Sequence, residues 1–125
     1  MHQLNMNKNT GDVCDLTYLT EIMSGKKTLI KEIMDRFLIQ IPEELASLKD
    51  AIALEKFESI QSYAHTMKSS VSIMGITILT PILKDMEELA KAGTDIQKIS
   101  ELNKQLTSIC NKAISEIKEE SQSYL

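Results

Sequence analysis

The stretch that decides the fold reads FESIQSYAHTMKSSVSIM and covers residues 57–74. Its apolar side chains recur at intervals of three and four residues, a spacing that places them on one face of an α-helix. They are Phe57, Ile60, Ala64, Met67, Val71 and Met74. The pattern predicts an amphipathic helix about 27 Å long, with one face in a core and its end at Gly75.

Similar spacing on both sides of this stretch predicts further helices. We expect them over residues 16–23, 26–40, 42–55, 77–92 and 95–120. Proline and glycine are scarce and fall between these segments, where they favour helix ends; Pro42, for example, is expected to break a helix or to start a new one. No segment alternates with a period of two residues, so no strands are predicted.

Long amphipathic helices joined by short loops are typical of an all-α, up-and-down antiparallel four-helix bundle. The segment over 16–23 is expected to pack on this bundle as a short additional N-terminal helix. We assign residues 1–12 to a flexible N-terminal tail, 13–120 to the bundle domain and 121–125 to a C-terminal tail. One domain is also what a chain of 125 residues ordinarily forms.

Composition argues against several classes of function. The formal net charge is −4, there is a single arginine and no tryptophan, and aromatic residues make up 4%. This balance argues against nucleic-acid binding, which favours a basic surface and aromatic stacking platforms.

No stretch predicts a signal peptide or a membrane-spanning helix, so a cytoplasmic protein without direct membrane contact is expected. Cys14 and Cys110 lack the spacing of a metal or disulfide framework and are interpreted as reduced thiols, with Cys110 in the core.

His65 is the residue most suggestive of chemistry. It follows the buried Ala64, so it should lie at the edge of the apolar face. Its helical neighbours are all polar: Gln61, Ser62, Lys68, Ser69 and Ser72. A lone histidine on a helix is most often only a surface residue, and no set of metal ligands surrounds this one. There is no P-loop and no G-x-S-x-G motif, and the carboxylate pairs at 87–88 and 119–120 are interpreted as solvated faces.

The motif AHTMKSS at residues 64–70, with Gly75 ten residues after the histidine, resembles the signature of the histidine-containing phosphotransfer (HPt) domain family. That signature reads A-H-x-L-K-G-S/A, and the resemblance extends over about residues 15–118. Met67 replaces the usual leucine and Ser69 the usual glycine. The family commonly places a polar residue opposite the histidine, and Lys84 or Asp85 is expected there.

The resemblance implies a phosphocarrier in a multistep phosphorelay. His65 would accept a phosphoryl group from the aspartyl phosphate of a receiver domain and pass it to another receiver, and Lys68 would offset the phosphoryl charge. The docking residues would be Gln61, Ser62, Ser69 and Ser72. The chain would carry no ATP site and no metal or cofactor of its own, since the receiver domain brings the Mg²⁺. It would be a phosphocarrier that depends on a partner receiver domain and not an enzyme by itself.

The implied partners are the receiver domains of response regulators and a hybrid sensor histidine kinase, with the chain itself a monomer. Whether it acts alone or within a membrane-anchored hybrid kinase stays open. The alternative is a helical adaptor, or a degenerate HPt domain, that binds signalling partners without transferring phosphate.

Overall fold

A computed structural model describes residues 12–124 of the chain. Within this part there are five helices and no strand: α1 Thr17–Ile22, α2 Lys27–Ala53, α3 Phe57–Ile73, α4 Leu79–Ala92 and α5 Ile96–Gln122. The N-terminal tail predicted over 1–12 lies almost wholly outside the described residues.

The four long helices form the predicted bundle, with α1 as the additional N-terminal helix. α2 packs against α3 and α5, and α4 packs against the same two helices from the other side. The most extensive contact joins α3 to α4. Short connections over 54–56, 74–78 and 93–95 reverse the chain between neighbours, so adjacent helices run antiparallel.

The prediction of a helix boundary at Pro42 was wrong, because α2 continues through it as a single helix of 27 residues. Proline has no N–H to donate to the carbonyl four residues earlier, here that of Leu38. Pro42 is exposed, so the missing hydrogen bond lies on the solvent side of α2. The buried face of α2 runs on past the proline, from Ile41 to Leu48, and its packing keeps the helix whole.

The core follows the predicted faces closely. On α3 the residues Ile60, Ala64, Met67 and Val71 are buried, and Phe57 is half-buried. On α2 the buried face includes Met34, whereas Leu29 near the start of the helix is exposed. Both cysteines are free and buried, and burial raises the pKa of the Cys110 thiol to about 12.

Helix α5 ends two residues later than predicted. Ser121 is buried, and its hydroxyl donates a hydrogen bond of 2.7 Å to Oδ1 of Asp35 on α2. Asp35 in turn pairs with Lys31 at 2.8 Å. These contacts attach the end of α5 to the N-terminal third of α2, and α5 continues to Gln122.

The segment before α1 is held at two places. The Glu116 carboxylate on α5 accepts hydrogen bonds from the backbone N–H groups of Val13, at 2.8 Å, and Cys14, at 2.9 Å. The N–H of Asp15 donates to the carbonyl of Met74 at 3.2 Å. α1 therefore lies beside the turn between α3 and α4.

Among residues 12–124, no helix is long and apolar enough to cross a bilayer.

Candidate functional site

His65 lies on the edge of α3 that faces α4. On both helices, the residue directly after each buried one is turned about 100° from the core. Because the two helices are antiparallel, these turned positions face each other across their common groove. They are Gln61, His65, Lys68 and Ser72 on α3, and Thr80, Lys84, Glu87 and Lys91 on α4. Six of these eight, with Glu88, line a cleft of about 300 Å³; His65 and Ser72 are the two outside it.

The Glu87 carboxylate connects His65 to Lys68. Its Oε2 lies 2.8 Å from Nδ1 of His65, and its Oε1 lies 2.6 Å from Nζ of Lys68. The side chain of Glu87 is only 18% exposed, whereas that of His65 is 69% exposed. One carboxylate on α4 thus orients two side chains of α3, and the imidazole still faces solvent.

The charge on Glu87 fixes which ring nitrogen of His65 carries the proton. The hydrogen bond from Lys68, followed by that from His65, holds the pKa of the Glu87 carboxyl below its usual range. An ionised carboxylate only accepts hydrogen bonds, so Nδ1 must donate. In the neutral imidazole the lone pair is then on Nε2, which has no protein partner among residues 12–124.

Glu87 is the site residue that the sequence analysis missed. It was interpreted as part of a solvated face, and Lys84 or Asp85 was expected opposite the histidine. The structure corrects both expectations, because Glu87 occupies that place. A signal was available, because Glu87 directly follows the buried Met86 on α4 just as His65 directly follows the buried Ala64 on α3. The register between the two helices, which decides which residues lie opposite each other, cannot be predicted from the pattern of either helix alone.

The other predicted site residues are spread over the same exposed face. Gln61 and Lys68 line the cleft. Ser62 and Ser69 are exposed on α3 outside it, and Ser72 is exposed two turns after His65. Ser72 lines a second cleft of about 390 Å³, with Tyr18 and Glu21 of α1 and Thr80 of α4.

The two clefts form one continuous face, because Thr80 lines both. A large aromatic side chain lines the second cleft, since Tyr18 of α1 is 52% exposed there. The face thus joins a charged region beside His65 to a partly apolar region on α1. No group of three or more potential metal ligands occurs among the described residues.

Comparison with protein-family models matches residues 32–120 of this chain to the Hpt domain. That is most of the bundle, with the whole of the groove between α3 and α4. The chain belongs to the Hpt family. The proteins of this family carry phosphoryl groups on a histidine within phosphorelays, and they interact there with receiver domains and kinases.

A solved structure supports the same fold for this Hpt domain. The crystal structure of histidine-containing phosphotransfer protein B (HptB) from Pseudomonas aeruginosa PAO1 is similar with a TM-score of 0.83 and 24% sequence identity. The match covers 93% of this chain and 100% of the HptB chain. Comparison with the curated proteins finds no match.

Proposed function

We propose that His65 is the residue of this Hpt domain that accepts and donates the phosphoryl group. The observation that carries this proposal is the contact between Nδ1 and the Glu87 carboxylate. It leaves Nε2 with a lone pair on an exposed ring, and an unpaired imidazole nitrogen is a nucleophile near neutral pH. His65 also stands on a shallow face that a globular partner can cover.

The transfer step requires no other nucleophile. The Nε2 lone pair forms a bond to the phosphorus of an aspartyl phosphate on the receiver domain. The bond from phosphorus to the carboxylate oxygen breaks, and its electron pair returns to the aspartate. The imidazole ring gains positive charge as the bond forms, and Glu87 stabilises that charge through the Nδ1 proton. The reverse sequence transfers the phosphoryl group to a second receiver.

Lys68 is placed to act on the phosphoryl group, whereas Glu87 acts on the imidazole ring. Its ammonium group lies one turn after His65 on α3 and lines the same groove. A cation there offsets the charge of the phosphoryl oxygens in the transition state and in the phosphohistidine. This role requires Lys68 to move at least partly away from Glu87.

The test is a transfer assay followed by intact mass. The purified chain is mixed with a phosphorylated receiver domain and Mg²⁺, beside His65→Gln and the matched control His2→Gln, which removes the other histidine of the chain. We expect one acid-labile, base-stable phosphoryl group on the wild type and on the His2 variant, and none on the His65 variant. Binding without transfer by the wild type would instead support an adaptor or a degenerate domain.

The receiver domain is proposed to cover both clefts. Gln61, Ser62, Ser69 and Ser72 would contact it around His65. The Tyr18 side chain on α1 would extend the interface, because it is large, 52% exposed and lines the second cleft.

The docking proposal is tested with Tyr18→Ala. We expect this change to weaken receiver binding about tenfold, while a small phosphoramidate donor still phosphorylates His65 at the wild-type rate. The matched control is Leu54→Ala, since Leu54 is also exposed but lies at the end of α2, beside Ser59 and Tyr63. Equal effects of the two changes would contradict this placement of the interface.

The remaining properties belong to the same proposal. The chain would act as a monomeric phosphocarrier in the cytoplasm, between a hybrid sensor histidine kinase and a response regulator. It would hold no metal or cofactor, and Mg²⁺ would come with the receiver domain. The chain is treated with a chelator and offered a small phosphoramidate donor, and in a second reaction it is offered a phosphorylated receiver domain. Phosphorylation that needs Mg²⁺ only in the reaction with the receiver would support this division.

A further inference from the structure

The proposed function gives Lys68 two anionic partners. In the structure its ammonium group is paired with Oε1 of Glu87 at 2.6 Å. In the phosphorylated state the same group is required at the phosphoryl oxygens. If Lys68 turns to them, Glu87 loses its strongest partner while a new dianion stands beside it. A carboxylate that is 18% exposed is then left near like charge, which is unfavourable unless another cation approaches.

Two other lysines line the same cleft, Lys84 and Lys91. Neither forms an ion pair within the described part of the chain. Lys91 follows Glu87 by four residues on α4, with the acidic residue nearer the N-terminus, which is the more favourable order for such a pair. It also stands in the last turn of α4, where a cation interacts well with the helix dipole. Lys84 precedes Glu87 by three residues and has Glu88 four residues after it, in the less favourable order.

We propose, on the basis of the phosphocarrier role above, that Lys91 is a positioning residue that pairs with Glu87 when Lys68 turns to the phosphoryl group on His65. Lys91 then keeps Glu87 ionised and hydrogen-bonded to Nδ1. The exchange of one lysine for another lets Lys68 leave without freeing the carboxylate.

The first experiment needs no phosphate. Lys68→Met removes the resting partner of Glu87, and the pKa of Glu87 is followed by carboxyl ¹³C NMR in the variants K68M, K68M/K91M and K68M/K84M. We expect loss of Lys91 to raise the pKa of Glu87 by about 0.2–0.3 pH unit over that in K68M, and loss of Lys84 to raise it less. No rise with K91M, or a larger rise with K84M, would overturn the proposal.

The second experiment measures the phosphorylated state. The transfer equilibrium between a receiver domain and His65 is determined for wild type, K91M and the matched control K84M, each with Glu87 intact and with the additional change Glu87→Gln. We expect K91M to lower the phosphohistidine fraction about twofold with Glu87 present and to have no effect once Glu87→Gln has removed the carboxylate. An equal effect in both backgrounds would show a general charge effect and overturn the proposal. Failure of the wild type to take up phosphate would instead refute the function of His65, and the NMR titration would still decide whether Lys91 reaches Glu87.

Discussion

The Glu87 carboxylate contacts both side chains of α3 proposed to act in the transfer, His65 and Lys68, and it does so from another helix. Without it, His65 would be a freely rotating surface imidazole whose proton could occupy either nitrogen. With it, Nδ1 is a donor and Nε2 faces outward. The orientation of one ring thus depends on the packing of α3 against α4.

Replacing Glu87 with glutamine tests this dependence. The amide keeps the shape but carries no charge, so the charge-assisted bonds to His65 and Lys68 weaken. We expect the rate of phosphotransfer to fall about fivefold, the equivalent of roughly 1 kcal/mol. Glu88→Gln is the matched control, because Glu88 lines the same cleft without contacting His65. Equal rate losses in the two variants would argue against a role for the contact.

The lowered pKa of Glu87 also predicts a pH dependence of stability. Lys68 and then His65 lower this pKa in the folded protein relative to the unfolded chain. The contact therefore contributes stability above the ordinary titration range of glutamate, near pH ~4.3, and loses it as the pH falls through the lowered value. Urea denaturation should show wild type more stable than Glu87→Gln at pH 7, by less than about 1 kcal/mol because the His65 side of the contact is exposed to solvent. The difference should shrink as the pH falls through the lowered pKa of Glu87. A difference unchanged at low pH would contradict this assignment.

Helix α2 shows how packing can override a local helix breaker. A proline inside a helix costs about 3 kcal/mol or more, yet α2 runs unbroken through Pro42. The buried residues before and after Pro42 lie on one continuous face. Packing of this whole face against the core keeps the two halves of α2 in line. The bundle therefore accepts one missing hydrogen bond on its exposed side.

Pro42→Ala should restore that hydrogen bond. We expect the free energy of unfolding to rise by about 1–2 kcal/mol, less than the full cost of the proline, because proline also restricts the unfolded chain. Pro81→Ala is the control: this proline lies in the first turn of α4, where its missing N–H is not needed. The measurement is urea denaturation of both variants, and a smaller gain for Pro42→Ala than for Pro81→Ala would contradict this account.

Two glycines that end helices should respond differently to substitution. Gly75 and Gly93 both have φ of +67°, a conformation that strains other residues. A Cβ at Gly93 would meet open space, whereas one at Gly75 would collide with the backbone carbonyl of Asp15. We expect Gly93→Ala to cost about 1 kcal/mol and Gly75→Ala at least about 2 kcal/mol more, as measured by thermal or urea denaturation. Similar costs would mean that the segment before α1 moves aside easily.

On the scale of the whole molecule, Glu116 ties the two ends of the described chain together. Its carboxylate accepts from the N–H groups of Val13 and Cys14, about a hundred residues earlier. Together with the hydrogen bond from the N–H of Asp15 to the carbonyl of Met74, this contact places α1, and with it Tyr18, beside the groove of α3 and α4. The proposed docking face is therefore complete only when the N-terminal segment is attached to α5.

Glu116→Gln should loosen that attachment. The amide has one accepting oxygen, so one of the two N–H groups loses its acceptor. We expect faster hydrogen exchange over residues 13–22, unchanged protection in α3, and a loss of about 1 kcal/mol in the free energy of unfolding. Glu119→Gln, an exposed position on the same helix, should change neither quantity. Faster exchange throughout the bundle would contradict a local role.

The sequence by itself determined that the chain is helical, most of the helix bounds and buried faces, the glycines at helix ends and the position of His65 at the edge of a buried face. These properties depend on the periodic spacing of residues within one segment, which is visible without the rest of the chain. Only the tertiary structure decided that α2 passes through Pro42 and that Glu87, rather than Lys84 or Asp85, faces His65. These outcomes depend on the register between helices, which is set by how all the side chains of the core fit together, and no single segment contains that information.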